Sequence, residues 1–94
     1  MAADAPIIKN LDNLRDFVNK TLCSRDQLLI GAFRMTERVL RRNDKPCGMF
    51  FCLHGPRAGK FTAVWESERN RVLFYDARGE RFHEIELRKQ ISPE

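Results

Sequence analysis

Cys52 and His54 are two residues apart, and on an extended strand that spacing puts a thiol and an imidazole on one face. Such a pair suits a thiolate nucleophile or two metal ligands. A nucleophile also needs an orienting third group and an oxyanion site, and the sequence offers no motif for either. A zinc site would require Cys23, Cys47 or His83 to converge on the pair, and the closely spaced ligand pairs of zinc sites are missing. Cys47 and Cys52 are separated by an odd number of positions and face opposite ways on a regular strand, as small buried apolar residues do. No catalytic residue, metal or cofactor is therefore assigned.

Gly55-Pro56-Arg57-Ala58-Gly59-Lys60 has the look of a phosphate loop but not its chemistry. Three residues separate the glycines instead of four, Phe61 stands where a magnesium-binding hydroxyl is needed, and the segment joins two strands. Glycine N–H groups flanked by Arg57 and Lys60 remain able to hold a phosphate or carboxylate.

Seventeen Lys and Arg against 13 Asp and Glu give a net charge of +4 and a pI near 9.3. A mildly basic chain favours acidic partners without specifying nucleic acid. In an antiparallel meander, alternate turns share an end of the sheet. Arg41, Arg42, Lys45, Arg69 and Arg71 then gather at one end with Asp44, Glu66 and Glu68. Arg57, Lys60, Arg78 and Arg81 gather at the other with Asp76 and Glu80. Nucleic-acid binding wants one continuous basic track beside exposed rings, for which Phe61, Trp65 and Tyr75 are the candidates.

The elements behind that placement follow from periodicity. Residues 1–9 form a lead-in interrupted by Pro6, with Ile7 and Ile8 turned to the core. Asn10 is a good N-cap, and Leu11, Leu14, Phe17, Val18 and Leu22 make one apolar helical stripe. Ser24-Arg25-Asp26-Gln27 has the form of a capping box, so residues 10–30 read as one helix or as two short ones ended by Gly31. From Phe33 the pattern turns to strands separated by polar turns every ten to twelve residues, the signature of a meander over 33–87. Cys47–His54 is apolar on both faces. Lys60–Glu66 puts Phe61, Ala63 and Trp65 on one face, and Val64 breaks the polar side. The tail, 88–94, is expected to fray. Tyr75-Asp76-Ala77-Arg78-Gly79 resembles the turn of YD-type β repeats. It occurs once, and those repeats work as tandem arrays.

The expected fold is α+β, a single domain with the N-terminal helical segment packed on a five-stranded antiparallel meander, open unless its edge strands meet as a small barrel. A hydrophobic share of 43% supports one core. There is no apolar run of membrane-spanning length, no secretory leader, and an odd number of cysteines, so a cytoplasmic protein with reduced thiols is expected. The expected function is a non-enzymatic binding or regulatory module acting through a protein partner or a second copy. Arg57, Lys60, Arg78 and Arg81 are its anion or partner contacts. The alternative is an RNA-binding module using Arg41, Arg42, Lys45, Arg69, Arg71, Trp65 and Tyr75.

Overall fold

Asn10 opens the helix as the sequence predicts, its Oδ1 accepting the Asn13 N–H at 2.8 Å. The computed structural model describes residues 8–25, 27–88 and 91. Helix α1 spans Leu11–Arg25 and buries Leu14, Val18, Leu22 and Cys23. Strands β1 (Met35–Arg42), β2 (Lys45–His54), β3 (Lys60–Glu66), β4 (Arg71–Tyr75) and β5 (Arg81–Glu86) follow. They form one antiparallel sheet in the order β1-β2-β3-β4-β5. This is the α+β meander. Its edges β1 and β5 are not neighbours, so the sheet is open and not a barrel.

A second helix is not formed. Gln27 takes a positive φ of 57°, its N–H reaches the Ser24 carbonyl at 3.4 Å, and the Leu28 N–H reaches the Cys23 carbonyl at 2.8 Å. That is the double bond of a Schellman motif, so the segment read as the start of a helix is the end of one. Asp26 lies outside the described residues. Leu28 and Phe33 pack on the core, whereas Leu29 and Ile30 are exposed.

The β1–β2 turn is Asn43-Asp44, both at positive φ, 54° and 65°, between the paired residues Arg42 and Lys45. Two left-handed residues in a two-residue loop match the twist of a hairpin, and Asn and Asp tolerate that region best after glycine. Gly48 is required for a different reason. A Cβ there would overlap the Trp65 carbonyl oxygen of the neighbouring strand.

The core lies on one face of the sheet. The helix lies over β2 and β3 and covers Met49, Phe51, Leu53, Phe61, Ala63, Trp65, Val72 and Phe74. Phe17 meets Phe74 edge-on, with ring centroids 6.0 Å apart. Glu37 on β1 faces the helix and receives both arms of Arg15, at 2.6 and 2.8 Å. Ile8 and Ile91 join this core from outside the elements. The burial of Ile8 follows the sequence reading. That of Ile91 corrects the expectation of a fraying tail at this position; residues 89, 90 and 92–94, like 1–7, lie outside the described ones.

Trp65 is fully buried, and its indole N–H donates to Asn70 Oδ1 at 3.1 Å. Asn70 Nδ2 donates to the Leu87 carbonyl at 3.2 Å, and the Leu87 N–H returns to the Asn70 carbonyl at 2.8 Å. Asn70 also has a positive φ of 49°. One side chain thus holds the core indole and anchors the chain leaving β5. Asn70→Ala is expected to lose about 2–4 kcal/mol in denaturant unfolding, from an unpaired buried N–H and a strained left-handed backbone. Asn70→Gly relieves the strain and should recover about 1 kcal/mol of that. Equal losses for the two variants would show that backbone strain plays no part.

Candidate binding face

The side-chain alternation that turns Phe61, Ala63 and Trp65 toward the helix turns Thr62 and Val64 the other way. Cross-strand register extends this second face over the whole sheet. One row across the strands reads Thr36, Cys52, Thr62, Tyr75 and Arg81. The next reads Arg38, Phe50, Val64, Leu73 and Glu84. The third reads Leu40, Gly48, Glu66, Arg71 and Glu86. Among the described residues, neither the helix nor a loop packs on it. Leu73 and Cys52 are buried, yet both stand outside the core cluster. Phe50, Val64, Leu40 and Tyr75 are half-buried. Arg38 lies over the Phe50 ring, 5.5 Å from its centroid, a cation–π contact that covers part of the ring.

At one end of the sheet the β1–β2 and β3–β4 turns bound a groove of about 870 Å³. Arg42, Lys45, Arg69 and Arg71 line it with Glu66 and Glu68, over Leu40, Pro46 and Val64. Arg41 is exposed on the same hairpin. Arg71 is fully engaged, its Nε on Glu66 at 2.6 Å and its Nη1 on Glu84 at 3.1 Å. The hydrogen bond to Glu66, more than any other contact, raises its pKa further above the ordinary arginine value. Arg41, Arg42, Lys45 and Arg69 have no ion pair among the described residues.

The opposite end carries the other group. Arg57 and Lys60 flank the β2–β3 loop, and Arg78 and Arg81 flank the β4–β5 turn. The two loops are adjacent, since a Cβ on Gly59 would touch the Ala77 methyl. Arg78 stands 3.8 Å from Glu80 and Arg81 3.9 Å from Glu84, loose surface pairs worth little. In the loop itself the Gly59 N–H goes to Pro56 O at 3.0 Å and the Gly55 N–H to Gly59 O at 2.8 Å. The glycine amides read from sequence as an anion cradle are spent within the turn. What the loop offers an anion is the side chains of Arg57 and Lys60.

Trp65 is a correction. A stacking role needs an exposed ring, and this one, like Phe61, is buried in the core under the helix. Tyr75 is half-buried on the open face. Cys52 and His54 do share a face, as their spacing requires, but His54 Nε2 lies 3.0 Å from Thr36 Oγ1. Cys23 is buried, and that burial pushes its thiol pKa up, which disfavours the reactive thiolate. Among the described residues no three His, Cys, Asp or Glu side chains converge. Sequence reasoning missed Arg38 and Leu73 as face residues. The signal available was the two-sided apolar character of β2 and the break at Val64, which mark an apolar second face without naming its border.

Compared with known protein families, curated proteins and solved structures, the chain matches none.

Asp76 fixes the β4–β5 turn. Its Oδ1 accepts the Glu80 N–H at 3.0 Å and the Arg78 N–H at 2.9 Å. The Glu80 amide first, then the Arg78 amide, lower the carboxyl pKa. A carboxylate depressed on folding stabilises above its unfolded pKa, and the gain is lost as pH falls through the folded value. Asp76→Asn keeps an acceptor oxygen but cannot titrate. The wild type should therefore lose more stability than Asp76→Asn as pH drops below about 4. Parallel stability curves would show that Asp76 contributes no proton linkage.

Proposed function

We propose that this chain is a non-enzymatic binding module that works through the open face of its sheet, with a protein as the partner. The observation that carries this reading is the row Phe50, Val64 and Leu73, apolar side chains at the centre of a face that no described element covers. An apolar centre with a charged border is the anatomy of a protein-binding surface. Arg38, Arg71 and Glu84 supply that border. The end groups Arg57, Lys60, Arg78 and Arg81 are proposed as secondary contacts for an acidic part of the partner.

The nucleic-acid reading is weaker. Its cations share one end of the sheet with Glu66 and Glu68, Arg71 among them is already paired with Glu66 and Glu84, and its stacking platform lacks Trp65. A reducing, cytoplasmic setting suits the three free thiols, Cys23, Cys47 and Cys52. No helix among the described residues is long and apolar enough to cross a membrane.

A photoreactive phenylalanine analogue at position 50, compared with the same analogue at the outer helix position Lys20, tests the reading in native cells. Adducts with a defined protein, this chain included, are expected from position 50 and not from position 20. No adduct from position 50, or the same adducts from both, would sink it.

A further inference from the structure

We infer that the occupant of the open face is a second copy of the chain, docked face to face about a twofold axis parallel to the strands. This rests on the binding-face reading above and adds the partner and its orientation.

The inference comes from the order of charge along the central row. From β1 to β5 it runs Arg38, Phe50, Val64, Leu73, Glu84: a cation, three apolar side chains, an anion. The border is mixed: the row of Leu40 ends on Glu86 at β5, and the row of Thr36 ends on Arg81, so the central row carries the argument. A twofold interface is self-complementary, so each residue meets the one that the axis assigns to it. With the axis parallel to the strands, β1 lies over β5. Arg38 of each copy then faces Glu84 of the other while the apolar centres meet. With the axis across the strands, β1 lies over β1 and Arg38 faces Arg38, which is repulsive. Both groups have capacity to spare. Arg38 has no carboxylate partner among the described residues. Glu84 Oε2 is taken by Arg71, but Arg81 is 3.9 Å from Oε1, beyond hydrogen-bond reach.

Sheets pack face to face about 10 Å apart with strands within about 30° of each other, which suits this arrangement. Five strands at about 4.8 Å spacing and about 20 Å of shared length give roughly 500 Å² of flat sheet per copy. Two copies bury about 1,000 Å² before side-chain relief, the low end for a specific interface. A concentration-dependent dimer is expected.

Sedimentation equilibrium over a wide concentration range tests it, with circular dichroism confirming that each variant folds. Arg38→Glu and Glu84→Arg should each weaken association at least about tenfold, and Val64→Arg at the centre should abolish it. An equimolar mixture of Arg38→Glu and Glu84→Arg should associate again, because each contact then pairs opposite charges. Should Glu84→Arg fail to fold, a mixture of wild type with Arg38→Glu decides the axis. Tighter association in that mixture than in wild type alone would put Arg38 opposite Arg38 and overturn the inference. A dimer indifferent to both charge changes would overturn it as well. A wild type that stays monomeric overturns the second copy alone if position 50 still yields adducts with another protein, and both readings if it yields none.

Discussion

The indole of Trp65 decides which way the sheet faces. It is the largest fully buried side chain, and its N–H cannot be buried without an acceptor. Asn70 supplies one from the turn directly after β3, so the ring is held toward the helix. Side chains on a strand alternate strictly, so fixing Trp65 also fixes Val64 on the far side. The register then carries the choice outward, to Phe50 on β2 and Leu73 on β4. The open face follows from satisfying a single hydrogen bond inside the core.

A second constraint makes that face matter. β2 is apolar on both sides, as in sheets covered on both faces, and Val64 and Leu73 extend its second side onto β3 and β4, yet α1 is the one α-helix among the described residues and covers one side. The second side is tempered rather than covered. Arg38 lies over Phe50, and Arg71 spans Glu66 and Glu84. These charges keep the surface wettable while leaving its middle apolar, the compromise expected of a surface that meets a partner reversibly.

Much of this was legible in the sequence because two independent signals agreed. Alternation marked the strands, and turn chemistry marked their ends: Asn43-Asp44 and Gly79 stand where positive φ is needed. The division of arginines between two ends followed from meander geometry alone. The second helix misled because Ser24 and Gln27, three apart, suit a helix start by side chain. The backbone uses the same spacing to close a helix, with Gln27 in the left-handed region, a conformation no side-chain rule assigns to glutamine. Arg38 was illegible for a different reason. It alternates with neighbours on a charged edge strand, and only cross-strand register with Phe50 reveals that it borders an apolar row. Trp65 carried both meanings, core and platform, until its hydrogen bond to Asn70 chose between them.

The edges of the sheet explain why association should use the face. An exposed edge strand offers unpaired N–H and C=O groups to another chain, and proteins commonly block that route. Here β1 presents Glu37, Arg38, Arg41 and Arg42 and shifts register between Leu40 and Arg41. On the other side, β5 carries Arg81, Glu84 and Glu86 against a second register shift between Phe74 and Tyr75. A bulge twists the strand and breaks the ladder a newcomer would extend, and charges of both signs penalise a flat hydrophobic approach. With both edges blunted and one face under the helix, the row of Phe50, Val64 and Leu73 is the apolar part of the sheet left for association. The charges that blunt the edges are of opposite sign at the two ends of that row. The residues that prevent open-ended strand addition are therefore the ones able to orient a closed, face-to-face pair.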